Sequence, residues 1–446
     1  MKGNRCFAIC LVLCLSAVAV QGHTLIPGET DEWEGFTRVQ PEGLDLPCQI
    51  IQPQKAAPQN PWLWCASSPE MNLPLVRDLL KKGFHIVYLS SEASASFSES
   101  MNHWDQVYGW LKDNTSLSEK ALVEASGRGA LTAFAWLAKN PEAAAGILSI
   151  RPWLNLREAE DATLEDHDRA ALGQWLAVKD PADFEETPLA CATALGKAIV
   201  PMMLIQEFPL DAWDMEQYNK FYFDYRTAGK GEYDVISCSE GAPQNNESLL
   251  FHQCYFVMKH SGQLATTKID EPVSKDSPWT VADLSALPGV YELDDTLILE
   301  KGGDMTGIRW HGEAPSEPYE ISLEAMRIAG SDFFCGLTVP YGDSAFSLII
   351  GGWGGTCVGI SNLNWLDAYN NETACFRNFN DHEWYTIRLR VVGEQIEAWI
   401  DGEKLVDVAV DGRDVDVRWE MMAVTPLGIA TWRTTGVIRN FQVKAL

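Results

Sequence analysis

The sequence predicts an α/β unit built on a parallel sheet, followed by an all-β antiparallel sandwich, and three observations carry that division. At 446 residues the chain exceeds the roughly 250 to 300 residues at which a single core stops growing, so two domains are expected. Between Pro61 and Ser261, short apolar runs alternate with stretches of helical period, as when strands are buried on both faces by crossover helices. Beyond Ser277 the period changes to two, and Gly, Asp and Asn separate the alternating runs, as in antiparallel sheets.

Taken in order, the amino terminus places Lys2 and Arg5 ahead of the apolar run from Phe7 to Val20, with small residues after it. This reads as a secretory signal peptide, cleaved after Ala19 or after Gly22. The run is shorter than the roughly 20 residues a spanning helix needs, and no later segment qualifies. The expected mature chain is exported and soluble, periplasmic or extracellular. Residues 1–22 are assigned to the signal, 23–261 to the α/β unit, 262–279 to a linker and 280–446 to the sandwich.

In the α/β unit the segments PWLWCAS, FHIVYLS, KALVEA, AGILSI, IVPMMLI and EYDVISC read as buried strands. After KALVEA a helix is expected, with Leu131, Phe134, Ala135 and Ala138 on one face and Pro141 helping to stop it. The stretch GQLATTKIDEPVSKDS loses the apolar pattern and reads as the linker. In the second half YEISLEAMRIAG, DFFCGLTVP, FSLIIGG, WYTIRLRVV, QIEAWIDGEKLVDVAV and GVIRNFQVK alternate. The pair Asp401-Gly402 marks a hairpin, because both turn positions need positive φ.

A formal net charge of −28 repels phosphate backbones and anionic lipid, so neither nucleic acid nor a membrane surface is an expected partner. With the signal removed, eight cysteines remain: Cys48, Cys65, Cys191, Cys238, Cys254, Cys335, Cys357 and Cys375. They form no dense disulfide framework and show no CxxC spacing, and His311 and His382 are isolated. No metal and no cofactor are implied. The sequons at Asn114, Asn246 and Asn371 matter only in a eukaryotic secretory pathway.

The segment LVEASGRGALTAFAW has the outline of a strand, a tight turn and a helix. A nucleophile elbow needs small residues two before and two after the nucleophile, because strand and helix backbones approach closely there. With Ser126 as nucleophile those positions hold Glu124 and Arg128, both bulky. With Gly127 they hold Ala125 and Gly129, which fit, but Gly127 has no attacking oxygen.

The stretch EASGRGALTAFAWLAKNPEAAAGIL resembles the elbow region of secreted bacterial α/β-hydrolase proteins, in which Glu-Gly-x-Ser-Arg-Gly-Gly-Leu precedes a helix ending in Asn-Pro-Glu. Glu124, Arg128, Gly129, Leu131, Trp136, Asn140, Pro141 and Glu142 match, and the serine does not. The resemblance covers roughly residues 60 to 260. It implies that Asp211 stands about where that group has its acid, and that Gln244, Asn245 and Asn246 stand where it has histidine. The nearest histidines, His252 and His260, fall in the following helix. Without a nucleophile and a base, acyl transfer has no chemistry to run on. The open alternatives are Ser126 attacking from a distorted turn with His252, and a vestigial pocket among Trp62, Trp64, Trp153 and Trp213.

The stretch GSDFFCGLTVPYGDSAFSLIIGGWGGTCVGISNL, with NNET and PLGIATWRTTGVIRNF, resembles the concanavalin-like domains grouped with the 3-keto-disaccharide hydrolase family, over residues 280 to 446. The resemblance implies sugar, bound or turned over. Sugars are held by an aromatic face against ring C–H groups and by planar polar groups on the hydroxyls. Glycine-flanked Trp353 offers such a face, and Asp343, Asn371, Glu372, Arg433 and Arg327 are the candidate polar ligands. Glu324 and Asp332 are a candidate carboxylate pair.

The expected function is thus a carbohydrate-associated pseudoenzyme: a hydrolase scaffold without its nucleophile, joined to a sugar-binding sandwich. Two alternatives stay open. One is an active glycan esterase, or a keto-sugar or glycoside hydrolase, and the other is a purely structural surface protein. The sugar and the oligomeric state are left open.

Overall fold

The computed structural model describes residues 26–89, 94–156, 166–179, 181–208, 212–239, 245–284 and 289–446. The expected signal segment 1–22 lies outside them. The α/β unit is a nine-stranded sheet of β1 (Gly28–Trp33), β2 (Phe36–Pro41), β3 (Cys48–Gln52), β4 (Trp62–Cys65), β5 (His85–Leu89), β6 (Ala121–Glu124), β7 (Ala144–Ile150), β8 (Met202–Phe208) and β9 (Tyr233–Ser239). The strand order is β1-β2-β3-β5-β4-β6-β7-β8-β9. β4 to β9 are parallel and coincide with the six expected apolar runs, whereas β3 pairs antiparallel with β5. The sheet is therefore mixed rather than wholly parallel. With its exchanged pair β5-β4 and helices on both faces, it has the α/β-hydrolase arrangement.

The helices are α1 (Leu73–Lys81), α2 (Phe97–Asn114), α3 (Gly129–Lys139), α4 (Asp166–Leu176), α5 (Pro188–Lys197), α6 (Ala212–Ala228) and α7 (Glu247–His260). Ser96, Thr187 and Asn246 begin α2, α5 and α7, each accepting a hydrogen bond from the backbone N–H three residues on. These bonds satisfy donors that a helix start leaves unpaired. On one face of the sheet α2, α3, α5 and α6 cover Trp62, Trp64, Val87 and Val123. On the other, α1 buries Leu75, Val76, Leu79 and Leu80 beside Leu249 and Phe256 of α7.

The second unit contains β10 (Trp279–Val281), β11 (Gly289–Leu293), β12 (Thr296–Glu300), β13 (Met305–Trp310), β14 (Tyr319–Ala329), β15 (Cys335–Tyr341), β16 (Ser344–Gly351), β17 (Cys357–Ser361), β18 (Cys375–Phe376), β19 (Trp384–Val392), β20 (Gln395–Ile400), β21 (Glu403–Ala409), β22 (Gly428–Trp432) and β23 (Thr435–Ala445). They form two seven-stranded antiparallel sheets, β10-β13-β22-β15-β16-β17-β18 and β11-β12-β23-β14-β19-β20-β21. The period-two pattern sends Ile321, Leu323, Leu337, Val339, Leu348 and Ile350 into the core between them. At the β20–β21 hairpin Asp401 and Gly402 have φ of 52° and 82°.

The expected linker is shorter than its composition suggests. Val273 joins the sandwich core, and the Val273 and Asp270 amides donate to the Trp279 and Val281 carbonyls at 2.9 Å each, so the later half of 262–279 folds back along β10. The two apolar side chains Val273 and Trp279 account for this, since both are buried.

The outer face of the β11-containing sheet packs on the α/β unit. Tyr291, Leu293, Ile298, Met326 and Val437 share one apolar cluster with residues of α1 and α7. Lys82 pairs with Asp294, Tyr255 donates to Glu300 at 2.9 Å, and Arg439 donates to Glu247 at 3.2 Å. Helices α1 and α7 thus lie between two sheets. All eight described cysteines are free thiols, and among the described residues no helix is long and apolar enough to cross a membrane.

Candidate functional site

At the end of β6 the chain turns sharply into α3. Gly127 sits at the turn with φ of 50°, and its amide donates to the Arg151 carbonyl at 3.2 Å. A Cβ at Gly129 would stand 2.7 Å from the Ala66 carbonyl oxygen, so only glycine lets α3 approach β4 here. A Cβ at Gly127 would meet nothing within 4 Å. The steric frame of an elbow is present, with glycine where the attacking side chain would stand.

Ser126 is buried, and its hydroxyl donates to Glu124 Oε1 rather than to a histidine. Glu124 is itself buried at the end of β6. Burial pushes its carboxyl up to about 7, opposed by hydrogen bonds from Ser126 and the Ser67 backbone. His252 lies in α7, with Nε2 3.7 Å from Asp234 and its ring 5.0 Å from that of His382. Arg128 stacks on Trp175 at 4.4 Å and, with Trp104 and Thr132, leaves a cavity of about 10 Å3, room for about one water. Asp211, Gln244 and the Trp213 side chain lie outside the described residues. Asn245 lies just ahead of α7, and Asn246 caps it.

The described members of the aromatic pocket considered from sequence belong to the core. Trp62 and Trp64 are fully buried core residues and Trp153 packs against that core. Trp64 stacks on Trp104 with centroids 4.1 Å apart and meets Trp136 edge-on at 5.3 Å.

Among the described residues, no side chain at this turn makes the nucleophile-to-histidine contact that acyl transfer requires. Gly127→Ser is therefore expected to fold, at a cost of about 1–2 kcal/mol for a side chain at positive φ, and both it and the parent chain are expected to be inert to a fluorophosphonate probe. Stoichiometric labelling of either chain, read by intact mass, contradicts the reading.

The sandwich carries a larger pocket, of about 260 Å3, on the outer face of the β10-containing sheet. Strand alternation supplies its floor: Ile308 and Leu348 point into the core, whereas Met305, Ile349 and Trp432 point outward. Phe333, Met421 and Trp353 form the walls. Trp353 has φ of 47° in the turn after β16 and is 40% exposed, and its amide donates to Asp332 Oδ1 at 3.2 Å. Opposite, Arg418 holds Glu420 through two bonds of 2.8 and 3.2 Å and Asp367 through one of 3.3 Å. Burial alone would raise the Glu420 carboxyl, but the Arg418 guanidinium outweighs it and holds it below the usual carboxylate range. Glu420 is therefore an ionised acceptor at neutral pH.

Of the six ligand residues inferred from sequence, only Trp353 lines this pocket. Asn371 is buried, its amide donating to the carbonyls of Ile360, Leu366 and Asp367, so it holds the loop before β18. Glu372 pairs with Arg413, and Arg433 pairs with Asp304 at 2.7 Å on the surface. Arg327 donates to Asp381 and to the Phe379 carbonyl, and Asp343 lies exposed in the β15–β16 turn. Glu324 accepts from Arg439 at 2.6 Å on the other sheet, so it forms no pair with Asp332. Arg418, Glu420 and Trp432 were missed, and Asp332 was expected only as the partner of Glu324. The only local signal was a charged pair, Arg418 and Glu420, flanking an aromatic residue. Among the described residues no cluster of three or more His, Cys, Asp or Glu is placed to hold a metal.

No family model and no curated protein sequence matches the chain. Among solved structures it is similar to MPT51 of Mycobacterium tuberculosis, at 15% identity and a TM-score of 0.37 over 53% of this chain and 99% of the other. The fluorophosphonate-binding serine hydrolase F of Staphylococcus aureus aligns at 11% identity and a TM-score of 0.38 over 52% and 99%. The carbohydrate-binding module CBM66 of Bacillus subtilis aligns at 11% identity and a TM-score of 0.27 over 39% and 100%. The architecture itself defines the class: an α/β-hydrolase-fold unit followed by an antiparallel β-sandwich.

Proposed function

We propose that the protein is an exported, carbohydrate-associated pseudoenzyme, in which the sandwich binds sugar and the α/β unit serves as scaffold without hydrolytic chemistry. The observation that carries the reading is the outer-face pocket, where the half-exposed indole of Trp353 and the ring of Trp432 stand across from the Arg418–Glu420 pair. An apolar ring suits the C–H face of a sugar, and fixed planar donors and acceptors suit its hydroxyls. The overall charge of −28 favours neutral glycans over acidic ones.

Glycan-array screening of the full chain, followed by calorimetry on any hit, tests this. Trp353→Ala is expected to weaken binding about tenfold or more with the melting temperature unchanged, since an aromatic contact contributes about 0.5–1.5 kcal/mol beyond burial. Silence on every glycan, or binding indifferent to Trp353, overturns it. A second reading, sugar hydrolysis, draws on Asp332 and Glu420 lining one pocket. Glu420 held ionised by Arg418 is poorly suited to act as a general acid, and incubation of a bound glycan with product analysis separates the two readings.

A further inference from the structure

The outer-face pocket does not end at Trp353. Its indole is followed by the ring of Tyr369, with centroids 6.0 Å apart, and Tyr369 by that of Phe376, at 5.7 Å. The three side chains are 40%, 49% and 61% exposed. Strand alternation puts Phe376 on the pocket's side of the sheet. Val358 and Ile360 of β17 enter the core, so Cys357 and the pocket residue Ser361 face outward, and Phe376 of β18 is paired with Cys357. The rings therefore run from the pocket to the β18 edge of one sheet. Among the described residues the three most exposed tryptophans, Trp353, Trp365 and Trp419, also lie in the segments around this pocket. Exposed apolar surface gathered in this way marks a binding face.

Each ring of the row is held before anything binds. Trp353 sits in a turn of positive φ, with its amide on Asp332. Tyr369 follows a turn in which Asp367 Oδ1 accepts from the Tyr369 and Asn370 amides at 3.1 Å each. The other oxygen of that carboxylate accepts from Arg418 of the pocket wall at 3.3 Å, which ties the two features together. Phe376 belongs to a paired strand. Rings fixed in this way have little side-chain freedom left to lose on binding.

The size, shape and charge of the row select the occupant. A pocket of about 260 Å3 is smaller than the roughly 300–1,000 Å3 that holds a drug-sized ligand, so it seats about one sugar and leaves the rings beyond it uncovered. Adjacent ring planes are tilted by 32° and 76°. Such a row is no flat platform, and it suits a single chain that turns from one sugar to the next rather than the face of a crystalline polysaccharide. The arginines beside it are already paired, Arg418 with Glu420 and Asp367 and Arg377 with Asp401, so neither is free for an acidic sugar.

We infer that the pocket is one subsite of a longer site for a single neutral polysaccharide chain, with one sugar at Trp353 and Trp432 and the following sugars along Tyr369 and Phe376. The inference rests on the reading that this pocket binds sugar. It adds that the ligand is a chain and that two further rings sense its length.

Calorimetry on the full chain, with the two- and six-sugar members of the cello-, laminari-, malto- and xylo-oligosaccharide series, tests this. At least one hexasaccharide is expected to bind about tenfold or more tighter than its disaccharide. Tyr369→Ala and Phe376→Ala, both at exposed positions, should each remove much of that gain while leaving the disaccharide affinity and the melting temperature unchanged. Tyr369→Phe keeps the ring and should keep the gain, whereas Trp353→Ala should weaken both lengths. Equal affinity for the two lengths, with Trp353 still required, overturns the chain site and leaves the sugar-binding pocket standing. A gain with length that is indifferent to both alanine variants overturns it as well. Silence of all four hexasaccharides does the same, and the glycan array then decides the pocket by itself.

Discussion

Replacing Glu124 with glutamine is expected to leave stability close to the parent's at pH 4.5 and to exceed it by a margin that grows with pH to about 3 kcal/mol above pH 7. The sign follows from burial. In the folded chain the carboxyl titrates at about 7 rather than at 4.5, so the fold favours the protonated form. That contribution is fully present below 4.5 and is lost as the pH rises through about 7. Glutamine keeps a hydrogen-bonding oxygen for Ser126 and has no charge to desolvate, so its curve lacks this slope. Urea unfolding of both chains across the range measures the difference, and parallel curves would show that Glu124 is ionised without penalty.

Trp64→Ala is expected to cost about 3–5 kcal/mol, the range for large aromatic truncation in a packed core. The indole is fully buried, stacked on Trp104 and edge-on to Trp136. Its Nε1 has no hydrogen-bond partner among the described residues, so Trp64→Phe gives up packing volume alone and should cost much less. Equal destabilisation by the two variants in chemical unfolding would mean that the indole nitrogen, not the packing, matters.

The strands β4 to β8 were legible because each is an apolar run buried on both faces, and the edge strand β9, which buries only Ile236, because its Val and Ile still form a short apolar run. β1 and β2 were not: GETDEW and FTRVQP form an antiparallel edge that buries little besides Trp33, Val39 and Pro41, so their composition resembles a loop. The elbow turn was legible because sterics at Ala125 and Gly129 are local. The outer-face pocket was only partly legible. Glycines around Trp353 announce an unusual turn, but Asp332, Arg418 and Trp432 reach the pocket from segments far apart in the chain, and only the sandwich register brings them together. Asn371 misled for the opposite reason. A polar side chain beside an acidic one suggests a ligand, yet here the amide is consumed by three backbone carbonyls of its own loop.

The burial of α1 and α7 between two sheets also fixes a direction. With one sandwich face committed to the α/β unit, the face carrying Trp353 looks away from it, and two sheets and a helical layer separate it from Gly127. On the reading proposed above, a glycan bound at that outer pole is displayed away from the turn at the end of β6. On that reading, a serine and a histidine placed at that turn would not act on what the sandwich of the same molecule binds. The outer-face pocket and the turn at Gly127 thus stand at opposite poles of the molecule.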